Sequence, residues 1–166
     1  MTVIVIIGIL ATMLVPVFQR LQGRAELQSC VGNLKGLYAA GTSYVQDQGH
    51  WPQIETKDVQ RPAYALAWIA AFRPYGIAEI NWLCPSVQRQ LRNPDYLNPN
   101  HARVDYLATP FDSSPRTAYK WPTQPWFVER GDVHGEGQMV IFTNAEVKSL
   151  KEIFNHPSRQ PVDGFP

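Results

Sequence analysis

The sequence predicts an α+β fold in which one long, kinked N-terminal α-helix packs on a small antiparallel β-sheet. Three features of the chain lead to this prediction. The first nineteen residues carry no charge, apolar residues then recur at helical spacing as far as Val45, and short β-forming segments follow residue 125. With 166 residues, the chain is long enough for one domain with a modest core.

Composition excludes two classes of protein. A net charge of +1 provides no basic field for neutralising phosphates, so no nucleic-acid partner is expected. Hydrophobic residues make up 45% of the chain and aromatic residues 11%, which is too apolar for an intrinsically disordered protein.

The uncharged segment, residues 1–19, is suited to a lipid bilayer. Val3 to Phe18 reads VIVIIGILATMLVPVF, and a helix over residues 1–18 extends about 27 Å, close to the ~30 Å thickness of the hydrocarbon layer. The alternatives are a buried core helix, which would carry a polar edge, and a cleaved signal peptide, which would begin with basic residues. The pattern favours a retained membrane helix, kinked at Pro16.

The second half of the helix, residues 20–48, has a one-sided pattern. Apolar residues recur three and four positions apart, and this spacing places them on one face of a helix. They are Leu27, Val31, Leu34, Tyr38, Gly41 and Val45, with Cys30, Leu37 and Tyr44 beside them. Polar residues, among them Glu26 and Asn33, are expected to point away from this apolar face. The helix is predicted to run from about Thr2 to Asp47 and to stop before Trp51-Pro52.

Several short motifs carry a resemblance to a known family. Val5 to Ala11 reads VIIGILA and is followed by Pro16; further on come Cys30-x-x-Asn33-Leu34-Lys35 and Cys84-Pro85-Ser86. These segments resemble type IV pilins and pseudopilins, in particular a pilin-like subfamily with a C-terminal His-x9-Asp-Gly signature. The positions that keep its frame are His134, Gly137, Phe142 and Val147, while Asn144-Ala145 stand where the family has Asp-Gly.

The resemblance implies a non-enzymatic structural subunit of a type IV pilus or of a type II secretion-like pseudopilus. Gly8 and Ala11 would let neighbouring helices approach closely, with Pro16 kinking the helix. The implied partners are other pilin or pseudopilin subunits, the inner membrane, a prepilin peptidase and an assembly platform. The alternative is a membrane-tethered exported domain that binds a glycan or calcium and does not polymerise.

The resemblance also bears on orientation in the membrane. Arg20 and Arg24 follow the apolar run, and the positive-inside rule would place that side in the cytoplasm. In the family, a basic leader and an acidic residue precede the segment matched by Met1, so a misplaced start codon or a truncated chain is expected. With the leader restored, the protein is predicted to cross the inner membrane once, with its head on the periplasmic side.

Cys30 and Cys84 are the two cysteines of the chain. Their spacing excludes a CxxC redox motif and a zinc knuckle. Two buried free thiols are expected in a cytosolic protein, whereas a disulfide is favoured outside the inner membrane. A bridge across this separation would stabilise the fold by roughly 4 kcal/mol in the chain-entropy model.

The head is predicted over residues 49–155, followed by a tail over residues 156–166. A short helix is expected over Ala63–Phe72. The proline-rich stretch 85–125 is interpreted as a surface excursion in which Val87–Arg92 can form one or two helical turns and Asp105-Tyr106-Leu107 can touch the core. Strands are predicted over Trp126–Glu129, Gln138–Thr143 and Glu146–Leu150, with the last two joined by a hairpin at Asn144-Ala145. Because alanine adopts a positive φ poorly, a two-residue turn is disfavoured at Asn144-Ala145.

Polar residues cluster between the first two predicted strands. Alternate residues of an extended segment share a side, so Asp132, His134 and Glu136 would suit a metal, with calcium the ion to consider. The competing interpretation, which is favoured, is a glycine-rich connection whose His134 braces the hairpin. No serine or cysteine has an evident base partner, so no enzyme and no cofactor other than calcium are predicted.

Overall fold

The computed structural model describes residues 2–91, 98–114 and 116–155, with the side chains of the first helix described for Val15 and from Phe18 onward. The α-helices are α1 (Thr2–Gln48), α2 (Pro62–Phe72), α3 (Pro85–Leu91) and α4 (Leu150–Asn155). The strands are β1 (Tyr106–Ala108), β2 (Pro125–Glu129), β3 (Met139–Phe142) and β4 (Val147–Ser149). The predicted α+β fold, a long N-terminal helix packed on a small antiparallel sheet, is confirmed.

The second half of α1 packs on the head through the predicted apolar face. Cys30, Leu34 and Leu37 are fully buried there, and Ala40 and Val45 continue the buried row toward the end of the helix. Their spacing of three to five positions keeps them on one side, since a helix turns once every 3.6 residues. The prediction that Glu26 and Asn33 point elsewhere is wrong, because both side chains bond to the head.

The four strands form one antiparallel meander in the order β1-β2-β3-β4. Aromatic and β-branched residues dominate β2 and β3, and such side chains pack well on a half-buried pleated surface. Phe127 pairs with Ile141, and Val140 pairs with Lys148. The ladder shifts register between Pro125 and Phe127, because proline has no N–H to donate.

The β3–β4 hairpin closes through a three-residue loop rather than a two-residue turn. Ala145 N–H donates to Phe142 O at 2.9 Å, and Phe142 N–H donates to Glu146 O at 3.0 Å. Ala145 adopts φ +64°, which is the left-handed conformation that follows the turn in loops of this length. The side chain of Asn144 accepts from Glu146 N–H at 3.0 Å and braces the loop. The hairpin position was predicted correctly, and the strain predicted for alanine falls on Ala145.

Aromatic rings fill the core between α1, α2 and the sheet. The Trp51 ring lies 4.9 Å from that of Trp126 and 6.0 Å from that of Trp68, measured between centroids. A Cβ atom on Gly41 of α1 would lie 3.3 Å from both the Trp51 and the Trp126 rings. Because position 41 has no side chain, the two indoles can pack directly on the helix backbone.

The stretch 85–125 is more than a surface excursion. Residues 102–108 enter the core as β1 and the segment before it, with Val104 and Tyr106 fully buried. Trp82 O accepts a hydrogen bond from Asp105 N–H at 2.8 Å, which ties this segment to the chain before α3. Periodicity did not reveal the strand because only three residues of it pair.

Other predictions concern parts of the chain that lie outside the description. The side chains of Gly8, Ala11 and Pro16 are not among those described, although the α1 backbone continues through all three positions. The tail, 156–166, is likewise outside the described residues. Among the described residues, no helix combines the length and the apolar character needed to span a membrane.

Candidate functional site

Two cysteines, a histidine and a glutamate converge in the buried space between α1 and the sheet. Cys30 lies on α1, Cys84 directly precedes α3, Glu129 ends β2, and His134 belongs to the β2–β3 connection. One ligand atom from each, two Sγ, one ring nitrogen and one carboxylate oxygen, all lie within 4.8 Å of one another. We call these four residues the Cys-His-Glu cluster.

The two sulfur atoms of the cluster are in contact but unbonded. Cys30 Sγ and Cys84 Sγ lie 2.9 Å apart, compared with about 2.05 Å in a disulfide, and both residues are fully buried. The side chains are therefore neighbours, as the predicted pairing requires, while the covalent bridge stays a prediction.

The contact between the thiols favours ionisation of one sulfur over the other. The hydrogen bond from Cys84 lowers the pKa of Cys30 below its ordinary value, and bonds from Tyr106 and His134 act in the same direction. The same bond raises the pKa of Cys84, and burial raises it further.

Glu129 is a buried carboxylate with an incompletely bonded oxygen. Its side chain is 1% exposed, and Oε2 accepts a long hydrogen bond from Met139 N–H at 3.4 Å. Oε1 lies 3.2 Å from His134 Nε2, but this approach lacks hydrogen-bond geometry, and no other described residue bonds to Oε1. Leaving a buried acceptor unbonded costs about 1–3 kcal/mol, more when it is charged.

His134 brings one ring nitrogen to the other members of the cluster. Its side chain is 3% exposed, and Nε2 lies 3.2 Å from Cys30 Sγ and 3.4 Å from Cys84 Sγ. The other nitrogen, Nδ1, lies 3.4 Å from Ser86 Oγ, which donates to Glu26 Oε2 at 2.5 Å. Arg89 holds the same Glu26 oxygen at 3.0 Å. Because Ser86 Oγ donates to Glu26, it accepts from Nδ1–H, and Nε2 is the ring nitrogen that faces the sulfurs.

A carboxylate also holds the backbone at Cys84. Cys84 N–H donates to Asp105 Oδ2 at 2.8 Å, and Arg103 pairs with Oδ1 of the same side chain at 3.1 Å. Burial raises the pKa of Asp105 above its ordinary value, and the charge of Arg103 opposes that rise. Cys84 is thus fixed by a partner outside the cluster.

A groove of about 280 Å³ lies beside the cluster, between α1, α3 and the β2–β3 connection. Ser86 and His134 line it, together with Arg24 and Glu136. His134 is the cluster residue that this groove reaches.

The three residues predicted to bind calcium are not brought together. His134 turns inward to the cysteines, whereas Asp132 and Glu136 are exposed. Asp132 Oδ1 accepts from Gly137 N–H at 3.0 Å, and Oδ2 pairs with Lys151 at 3.3 Å. Within the described part of the chain, the only set of three or more metal-ligating side chains is the Cys-His-Glu cluster. The bracing interpretation gave that role to His134, whose ring contacts Cys30, Cys84 and Ser86 instead, while Asp132 makes the bond within the loop.

The positions of the family signature lie in or beside the hairpin. Gly137 has φ +89°, and a Cβ atom there would lie 3.0 Å from Lys151 N. Phe142 and Val147 flank the loop that contains Asn144, and His134 lies at the cluster. Of the signature residues, His134 alone reaches the cysteines.

Glu129 is the cluster member that sequence reasoning missed. A signal for it exists, because Phe127 and Glu129 are two positions apart on β2 and therefore share a face. Phe127 is fully buried in the core, so Glu129 is carried inward with it. The sequence places Glu129 at the end of the predicted strand Trp126–Glu129, outside the predicted ligand set Asp132, His134 and Glu136.

A second feature of functional interest is the start of α1. The described apolar side chains there, Val15, Phe18 and Leu21, are 57%, 68% and 57% exposed. Nothing approaches within 4 Å of a Cβ atom built on Gly23. This part of the helix therefore presents apolar side chains that the head does not cover.

Comparison of the chain with protein-family models, with curated proteins and with solved structures finds no match.

Proposed function

We propose that the protein is a non-enzymatic, pilin-like structural subunit of a type IV pilus or type II secretion-like pseudopilus. Its N-terminal helix anchors it in the inner membrane with the head on the periplasmic side, and subunits then assemble through that helix. The observation that carries the proposal is the uncovered apolar start of α1, which is continuous with a half that is packed in the head.

The exposed start of α1 needs a partner for physical reasons. Removing apolar surface from water is worth about 25 cal/mol per Å², so Phe18 and its neighbours gain from lipid or from another helix. Lipid and a neighbouring subunit can occupy the same surface at different times, which is the exchange that filament assembly requires. Gly8 and Ala11 would permit close approach between helices in either setting.

The experiment is photo-crosslinking in the cells that produce the protein, with expression from its own gene. A photoreactive residue at Val15 is expected to give a ladder of multimers. Phe18→Asp should abolish the ladder, because a charge in a helix interface or in lipid is strongly unfavourable. Lys57→Asp is the matched control, since Lys57 is exposed on the head and its replacement should leave the ladder intact.

If the protein stayed monomeric after crosslinking, assembly would be contradicted. If that monomer also bound calcium or a glycan, the membrane-tethered binding domain would become the better description. A ladder that survives Phe18→Asp would place the contacts elsewhere and would contradict the role given to the start of α1.

A further inference from the structure

We propose that the Cys-His-Glu cluster is a structural zinc site, in which Cys30 Sγ, Cys84 Sγ, His134 Nε2 and Glu129 Oε1 bind one Zn²⁺. The site lies wholly within one chain and needs no assembly, but its two thiols must stay reduced, whereas the periplasmic placement in the proposed function favours a disulfide. It also differs from the predicted calcium site, with which it shares His134.

The four donor atoms are of the types that bind zinc. Two thiolates, an imidazole and a carboxylate form a mixed sulfur, nitrogen and oxygen set, which suits Zn²⁺ and is unsuited to calcium or magnesium. Four protein ligands close the coordination sphere, and such closure is typical of structural zinc sites rather than catalytic ones.

The distances between the donor atoms are close to those around a tetrahedral zinc ion. Tetrahedral Zn²⁺ with bonds of about 2.3 Å to sulfur and 2.0–2.1 Å to nitrogen and oxygen separates sulfur from nitrogen by about 3.5 Å and nitrogen from oxygen by about 3.3 Å. The observed separations are 3.2 and 3.4 Å from Nε2 to the sulfurs and 3.2 Å from Nε2 to Oε1. The sulfur atoms, 2.9 Å apart, need to separate to about 3.8 Å, which small χ1 rotations can supply.

A disulfide between the two cysteines does not explain the position of Glu129. A disulfide would satisfy the two sulfurs and leave a carboxylate, 1% exposed, with Oε1 unbonded beside them. A cation at the centre of the cluster bonds to Oε1 and offsets the charges of the carboxylate and the thiolates. The disulfide and the zinc site exclude each other because they use the same sulfur atoms.

The surroundings of the cluster support metal binding. Zinc-binding histidines usually donate their second N–H to an oxygen that is itself held in place. Here His134 Nδ1 meets Ser86 Oγ, and Ser86 in turn bonds to Glu26. His134 also lines the groove between α1, α3 and the β2–β3 connection. The bound ion would join α1, the start of α3, the end of β2 and the β2–β3 connection.

The test uses the full chain purified with a reductant, with Zn²⁺ and Co²⁺ as the probes. One zinc per chain is expected by elemental analysis. Bound Co²⁺ should show the visible bands of a tetrahedral site together with a near-ultraviolet thiolate-to-cobalt charge-transfer band, and adding Zn²⁺ should remove both. Thermal unfolding of the zinc-loaded protein should shift to higher temperature.

Substitutions identify the ligands. Glu129→Gln is expected to weaken zinc binding about 10- to 100-fold, and Cys84→Ser and His134→Gln at least as much. Glu136→Gln is the matched control for the carboxylate, because it is exposed in the neighbouring loop, and His50→Gln is the control for the imidazole. Both controls should bind zinc as tightly as the unaltered chain.

Three results would overturn the proposal. One is the absence of stoichiometric zinc binding by the reduced, folded chain. Another is a Co²⁺ spectrum with no thiolate charge-transfer band, which is read on the unaltered protein and so does not depend on whether a variant folds. The third is a Cys30–Cys84 disulfide, seen as a two-proton mass loss, in protein taken under non-reducing conditions from its own cells.

Discussion

The two halves of α1 are both rich in apolar residues, yet they meet different surroundings. In the second half, Leu34 and Leu37 are fully buried against the head, whereas in the first half Val15 and Phe18 are largely exposed. The difference is in the pattern, because the second half alternates polar and apolar faces and the first is apolar on all sides. A one-sided helix can be covered by its own chain. A helix that is apolar all round can be covered only by lipid or by other chains.

The comparison predicts its largest effect for leucine truncation. Leu34→Ala should destabilise the fold by about 2–5 kcal/mol, because it removes a fully buried side chain and leaves a cavity. Leu21→Ala, the matched change at an exposed position where the second half begins, should stay within about 0.5 kcal/mol. Urea unfolding followed by tryptophan fluorescence measures both. Equal losses in the two variants would mean that the head also covers Leu21.

Adding a methyl group to a glycine of α1 should change stability in opposite directions at Gly41, which packs on the head, and at Gly23, which has open surroundings. Gly41→Ala is expected to cost about 1–3 kcal/mol, because its Cβ would press on Trp51 and Trp126. Gly23→Ala meets no neighbouring atom and should stabilise the helix by up to about 1 kcal/mol through helix propensity. Thermal unfolding followed by the circular dichroism of the helices measures both changes in stability. A destabilising Gly23→Ala would contradict the open surroundings of that position.

A smaller effect tests how the packed half is attached to the sheet. Tyr38 Oη donates to Thr143 O at 2.8 Å, so Tyr38→Phe should cost about 1 kcal/mol by leaving that carbonyl without its bond. Ser43 is the control on the same helix, because its hydroxyl bonds back to Ala39 O within α1. Ser43→Ala should change the unfolding free energy by less than about 0.5 kcal/mol. A Tyr38→Phe variant as stable as the Ser43→Ala variant would contradict a net contribution from the bond between helix and sheet.

The smallest expected effect lies in the head, at a position with no counterpart in α1. Ala145→Gly should stabilise the fold by roughly 0.5–1 kcal/mol, because glycine adopts φ +64° without the steric cost that alanine carries there. Glycine also raises the entropy of the unfolded chain, which limits the gain. Denaturant midpoints compared at equal slope provide the measurement. A loss of stability would show that the alanine side chain contributes packing that outweighs its strain.

Much of the fold could be predicted because the relevant signals are local. The extent of α1, the apolar face from Leu27 to Val45, α2 and the strands on either side of Asn144 all follow from periodicity within a few turns or pleats. Short β1 was not predicted, since three paired residues are too few for a periodic pattern, and its strand identity depends on pairing with β2. The turn at Asn144 could be placed, but its loop length depended on the register of β3 and β4.

The candidate site, too, could be predicted from the sequence only in part. The sequence by itself determined that two cysteines were available and that polar residues cluster after β2. Only the tertiary structure decided that His134 turns inward, away from Asp132 and Glu136, and that Glu129 joins it beside the cysteines. The physical reason is that residues 30, 84, 129 and 134 are related through the packing of a helix on a sheet. No spacing along the chain encodes that packing, because it arises when the apolar faces of separate elements exclude water together.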